Sequence, residues 1–144
     1  MVKIIAGGRK NSGWCAEACA EYEKRLRKPY NIEWQFIEEE KLVAYLRRWP
    51  FDAAREVVIC CDERGQNISS GEYSQRLEKA FASGKDVVIL VGGAYGFDDF
   101  VRKRADFVWG FSRLVFPHLM ARLIVVEQIY RASQIAIGGP YHHE

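Results

Sequence analysis

Val87 to Gly96 reads VVILVGGAYG, and this stretch decides the fold. Val87 to Val91 is an unbroken apolar run, the pattern of a strand covered on both faces in a parallel sheet. The glycines that follow form a loop at the strand's carboxyl end. Glu56 to Cys61 (EVVICC) repeats the signal upstream and is also apolar on both faces. Working outward, Val2 to Ala6 is a first strand closed by Gly7-Gly8. Ile32, Trp34 and Phe36 alternate in a second strand, and Phe107 to Phe111 forms a fifth.

Helical segments separate these strands. Ser12-Gly13 opens one that runs to about Lys28, with Trp14, Ala18, Tyr22 and Leu26 on one face and Pro29 as its stop. Glu38 to Arg48 is acidic at its start and basic at its end, matching the helix dipole. Asp62 to Asn67 reads as a polar loop. Ser69 with Glu72 is a capping box that starts a helix to about Ser83. Asp98-Asp99 caps a short helix ending near Arg104. Pro117 suits a first helical turn, and His118 to about Ser133 is a final helix, apolar on most of its surface. Strands alternating with helices predict an α/β fold with a mostly parallel sheet and helices on both faces, as one domain spanning 1–144. Ligands in such sheets bind at the carboxyl ends of the strands, here the Asp62, Gly92 and Ser112 loops.

Composition narrows the function. The chain has 144 residues, 49% hydrophobic and 28% charged, which is a globular balance. Its formal charge of +2 and pI near 8.3 fall short of a strongly basic nucleic-acid binder, for which pI exceeds about 9. Any RNA contact is therefore local and shape-based, or it is absent. There is neither a membrane-length apolar run nor a secretory leader, so the expected location is cytoplasmic. Cys15, Cys19, Cys60 and Cys61 lack CxxC spacing and read as free thiols, and no metal site is expected.

Taken singly, each candidate site has a plain structural explanation. The Gly92 loop is neither GxGxxG nor GxxxxGK[ST], so dinucleotide and P-loop readings fail on spacing. Asp62 and Glu63 could form an acid–base pair or simply be solvated. His118 could be a base, a phosphate contact, or neither. Arg122 and Arg131 fall on opposite sides of the last helix, and Glu127 with Arg131 makes an ordinary i, i+4 pair. The basic clusters Arg25-Arg27-Lys28, Arg47-Arg48 and Arg102-Lys103-Arg104 could meet phosphates, but each also sits at a helix end that favours cations.

Together the motifs say more. Cys61-Asp62-Glu63-Arg64-Gly65, Ser69-Ser70, VGGAYG, FSRLVFPH, the EQxYRA of Glu127 to Ala132 and the closing GGPYHHE occur in an order that resembles the RlmH family. These are large-subunit ribosomal RNA methyltransferases of the SPOUT superfamily. The resemblance implies a C-terminal trefoil knot, a homodimer, and S-adenosylmethionine held by the knot loops. It implies methylation of N3 of a pseudouridine in 23S rRNA, on the assembled ribosome or large subunit. Carried over by position, Cys61, Gly92, Phe111, Ser112, Arg113, Leu114, Val115 and Phe116 would hold the cofactor. Tyr141, His142 or His118 would assist loss of the N3 proton, and Arg122, Arg131 and His143 would meet substrate. The tail, Tyr141 to His143, would reach the partner subunit's pocket, and the oily last helix would form the dimer interface. His143 stands where the family carries a cation, Gln66 where a basic residue is usual, and Gly110 where a larger residue is usual. The segment between Glu40 and Glu56 is also shorter than is common. Those departures motivate an alternative, a catalytically silent ribosome- or RNA-binding module; activity on another RNA is a further one.

Overall fold

The computed structural model describes residues 1–93 and 96–143. The elements run β1 (Val2–Gly7), α1 (Gly13–Glu23), β2 (Ile32–Ile37), α2 (Glu39–Arg48), β3 (Glu56–Gln66), α3 (Ser70–Ala82), β4 (Asp86–Val91), α4 (Asp99–Arg104), β5 (Phe107–Trp109) and α5 (His118–Ala136). The strands form a parallel sheet in the order β2-β1-β4-β3-β5. The two strands read as doubly apolar, β3 and β4, lie side by side in its interior, paired from Glu56↔Asp86 to Cys61↔Val91.

Successive side chains on a strand point to opposite faces, and that divides the core in two. Ile4, Ala6, Ile59, Val87, Ile89 and Val91 pack with α1, α3 and α5. Ile5, Val58, Cys60, Val88 and Leu90 pack with α2 and α4. Helices therefore cover both faces, as the alternation of elements predicts. Ser69 accepts from the Glu72 N–H at 3.1 Å while the Glu72 carboxylate accepts from the Ser69 N–H at 2.8 Å, so the capping box forms.

Three readings change. Helix α1 ends at Glu23 rather than near Lys28, and its buried residues are Cys15 and Cys19. Trp14 is 52% exposed, because α5 lies along α1 one helical position round from the predicted face. The polar Asp62–Asn67 segment is not a free loop: β3 continues to Gln66, which pairs with Trp109 after a register shift following Cys61. The apolar surface of α5 is also used within the chain. Val125, Val126 and Ile129 are fully buried among residues of α1, α3 and the sheet.

The β3 irregularity explains two glycines. A Cβ on Gly65 would come within 2.6 Å of the Gly110 nitrogen, and one on Gly110 within 2.8 Å of the Gly65 carbonyl oxygen. The backbones of β3 and the β5 exit touch, and side chains would hold them apart. The Asn67 side-chain amide donates to the Gly110 carbonyl at 2.7 Å and fixes the crossing. Gly110 has no room for a larger residue here.

Candidate active site

A cavity of about 310 Å³ opens where β3, β4 and β5 end. Its walls come from three segments separated in sequence. From β3 come Cys61, Asp62, Glu63 and Arg64; from the β4 exit, Gly92, Gly93 and Gly96; from β5 and beyond, Trp109, Phe111, Leu114, Val115 and Phe116. His118 and Ala121 close it from the first turns of α5. The register shift in β3 accompanies the placement of Asp62, Glu63 and Arg64 in this wall.

The β5 exit is a stack of rings. Tyr73 of α3 lies nearly parallel to Trp109 with centroids 4.1 Å apart. Phe111 meets Trp109 edge-on at 4.6 Å, and Phe116 stands 6.5 Å from Phe111. Such rings give the wall a fixed apolar shape. Ser112 does not line the cavity; its hydroxyl accepts from the Leu114 N–H at 2.8 Å and holds the turn. Arg113 is exposed and outside the lining set. Leu114 and Val115 are 69% and 78% exposed, a surface no other part of the described chain covers well.

The polar wall is organised around Asp62, which is 8% exposed. Its carboxylate accepts from Arg64 through the backbone N–H and Nε, both at 2.9 Å, and through Nη2 at 3.2 Å. The Phe97 N–H reaches it at 3.5 Å, and the Arg102 guanidinium lies 3.6 Å away. Burial works against the charge, yet these hydrogen bonds from Arg64 and Phe97 hold the carboxyl below its ordinary range. Asp62 is thus an ionised clamp between the β3 bulge and the loop after β4. Burial, with Cys60 and Asp62 nearby, pushes the Cys61 thiol well above its ordinary value, so Cys61 meets a ligand as an uncharged group.

The other expected site residues lie elsewhere in this chain. Arg122 has no exposed surface. Its guanidinium donates to the carbonyls of Gly7 at 2.7 Å and Arg9 at 2.8 Å and to the Asn11 side-chain oxygen at 3.0 Å. Within this chain Nη1 and Nη2 hold the β1 exit while Nε has no hydrogen-bond partner among the described residues, and Arg122 does not line the cavity. Arg131 bonds Glu127 through Nε at 2.9 Å and Nη2 at 2.6 Å, and its Nη1 lies 3.0 Å from His142 Nδ1. The Tyr141 hydroxyl donates to Glu127 at 3.1 Å, and its ring meets Tyr130 at 4.8 Å. Burial and the neighbours Tyr22 and Glu127 push the Tyr141 pKa up. His143 is exposed. The tail therefore lies on its own α5, and Tyr141 to His143 do not line the cavity of the same chain. Among the described residues, no group of three His, Cys, Asp or Glu is placed to hold a metal, and no helix is long and apolar enough to cross a membrane.

Comparison with known proteins fits this architecture. A family model described as "Predicted SPOUT methyltransferase" matches residues 1–142. Ribosomal RNA large subunit methyltransferase H of Thioalkalivibrio sulfidiphilus is 36% identical over 157 aligned positions, covering 99% of both chains. The chain belongs to the RlmH family of SPOUT methyltransferases. Proteins of the same description from Methylobacillus flagellatus and Desulfitobacterium hafniense are 32% and 35% identical over 99% of this chain. Among solved structures, a probable methylase family protein of Haemophilus influenzae superposes with a TM-score of 0.58 at 13% identity, covering 99% of this chain and 70% of that one, a likeness of fold.

For this SPOUT methyltransferase, membership implies that the C-terminal part is threaded as a trefoil knot, consistent with α5 returning to pack on α1 and to grip the β1 exit through Arg122. Of the residues expected at the cofactor, Cys61, Gly92, Phe111, Leu114, Val115 and Phe116 converge on the cavity, together with His118. Arg64 and Gly93, which lie inside the family motifs but are not among the residues expected at the cofactor, join them, as do Trp109 and Ala121, which no motif marks. The one signal for Trp109 is its place as the last large residue before Gly110 in the β5 apolar run. Arg64 lies in a bulge that no local pattern announces. Within the glycine loop, Ala94 and Tyr95 lie outside the described residues.

Proposed function

We propose that this methyltransferase binds S-adenosylmethionine in the strand-end cavity and methylates N3 of a pseudouridine in 23S rRNA of the large ribosomal subunit. The observation that carries this is the convergence of the β3 bulge, the Gly92 loop and the Phe111–Phe116 segment on one cavity. Its volume of about 310 Å³ lies at the lower end of the range for small-molecule sites, and its lining mixes apolar rings and aliphatic groups with the polar Asp62, Glu63, Arg64 and His118. These residues fit the cofactor. Trp109, Phe111 and Phe116 offer flat apolar surface to an adenine, the Gly92 backbone permits close approach, and Asp62 and Glu63 bring negative charge to a cationic ligand. The curated relatives, named as large-subunit ribosomal RNA methyltransferases over full length, support the same reading.

S-adenosylmethionine, when bound, supplies a methyl group on a positively charged sulfur. The chain's own work is alignment and charge control. The Asp62–Arg64–Phe97 clamp sets the distance between the β3 and β4 walls. The ring stack from Tyr73 to Phe116 fixes the third wall. His118, exposed at the start of α5 and lining the cavity, is the in-chain candidate to take the N3 proton. Tyr141 and His142 act, on this reading, only through the tail of a second copy.

A homodimer is part of the proposal. Leu114, Val115 and Met120 (43% exposed) form an apolar surface beside the cavity mouth that a second copy would cover. Incubating the protein with labelled S-adenosylmethionine and unmethylated ribosomes should label one pseudouridine of the large subunit. Label on tRNA but none on ribosomes would refute the assignment. Sedimentation as a monomer would refute the dimer.

A further inference from the structure

Two basic segments that are far apart in sequence, Arg47-Arg48 and Arg102 to Arg104, meet on the sheet face carrying α2 and α4. Arg47 bonds Asp98, the α4 N-cap, at 3.3 Å, and its guanidinium lies 4.9 Å from the centre of the Phe100 ring. Arg104 reaches back to the carbonyls of Leu46 and Arg47 at 3.5 and 3.4 Å. Its guanidinium sits 4.3 Å from the Phe51 ring and 5.5 Å from Phe100. Arg47, Arg48, Lys103 and Arg104 remain exposed, and Phe100 is 40% exposed despite its cationic neighbours.

We infer that this α2–α4 face is a single-stranded RNA track, on which Phe100 stacks a base while Arg47 and Lys103 meet flanking phosphates. The inference rests on the rRNA reading above and gives that substrate a path to the cavity. Cations interleaved with an exposed ring are what unpaired RNA needs: the cations follow the backbone, and the ring accepts any base. A plain solvated helix end explains the cations but not an exposed phenylalanine set among them. The face also borders the cavity. Asp98 directly follows Phe97, whose N–H and carbonyl bond Asp62 and Arg64 in the cavity wall. A nucleotide strand lying across Phe100 would therefore pass the mouth. The weak overall charge of +2 is compatible with this, since Arg47, Arg48, Lys103 and Arg104 place several exposed cations on this one face.

The test uses the full-length protein and two variants, Phe100→Leu, which keeps apolar bulk but removes the ring, and Arg47→Gln/Lys103→Gln. Methyl transfer to unmethylated ribosomes is measured across ionic strength, with S-adenosylmethionine affinity by calorimetry and thermal unfolding as controls. The expected result is a rise of roughly tenfold in KM for ribosomes in each variant, with kcat and cofactor affinity within about twofold of wild type. The charge variant should also show a shallower salt dependence, by about one unit of log–log slope for each phosphate it no longer neutralises. Ribosome KM values within about twofold of wild type in both variants would overturn the inference. A raised KM with an unchanged salt slope in the charge variant would assign the face to a ribosomal protein and overturn the RNA track. Should the wild-type protein transfer no methyl to ribosomes, the proposed function fails, and a fluorescent short uridine-rich RNA then judges the face separately. Weaker binding by both variants supports the track; absent or equal binding overturns it.

Discussion

Replacing Arg122 by methionine should destabilise the protein rather than weaken its grip on substrate. A buried arginine has lost its hydration, and burial pulls its pKa below the ordinary value despite the nearby Cys15 and Cys19. What offsets that loss is the set of three hydrogen bonds to Gly7, Arg9 and Asn11. Methionine fills much of the same space and removes the cost of burying the cation, but it leaves the buried Gly7 carbonyl unpaired. An unsatisfied buried acceptor costs about 1–3 kcal/mol, and the partly buried Arg9 and Asn11 oxygens somewhat less. A net loss of about 3 kcal/mol follows, which for a chain of this size lowers Tm by about 10 °C. Lysine should rescue little, because one ammonium cannot span three separated acceptors. The effect should also reach the cavity. A Cβ at Gly7 would lie 3.2 Å from the Gly93 nitrogen, so the β1 exit supports the glycine loop, and cofactor affinity should fall with stability. Thermal unfolding and calorimetry measure both. An Arg122→Met protein melting within about 2 °C of wild type, with only the KM for ribosomes raised, would refute this reasoning and restore Arg122 as a substrate contact.

Gly110→Ala should lower stability by about 1–3 kcal/mol through overpacking against the Gly65 carbonyl, and weaken cofactor binding by displacing Trp109 and Phe111; an unchanged melting curve would contradict the close crossing. Asp62 has its folded pKa depressed from an ordinary 3.8, so its stabilising contribution is present above the unfolded pKa and disappears as pH falls through the folded value. The stability difference between wild type and Asp62→Asn should therefore shrink as pH drops below about 4; urea titrations showing a constant difference down to about pH 2 would count against the clamp. The Cys19 and Cys60 thiols, each pushed up to about 12 chiefly by burial, should resist alkylation in the native protein at about pH 8 and react once it is unfolded. Mass spectrometry reads this, and rapid native labelling at either position would be the contrary outcome.

The sequence by itself determined the layered α/β architecture, because that follows from local patterns. Short doubly apolar runs at Val57 to Cys61 and Val87 to Val91, bounded by turn residues and rich in β-branched side chains, have the pattern of interior parallel strands, and the Ser69 box and Asp98 cap mark helix starts by their own side-chain chemistry. It also pointed to much of the cavity lining, since Gly92, Phe111, Leu114, Val115 and Phe116 follow strand ends. Tertiary structure decided the rest. The choice between Trp14 and Cys15 as the inner face of α1 rests on where α5 lies, and residues far along the chain settle that. Asp62 and Arg64 line the cavity where β3 bulges between two pairings with β5. Arg122 looks like any polar interruption of an oily helix until the fold carries it to the Gly7 carbonyl. Those assignments depend on contacts between distant segments, and a local pattern carries no record of which distant backbone a side chain will meet.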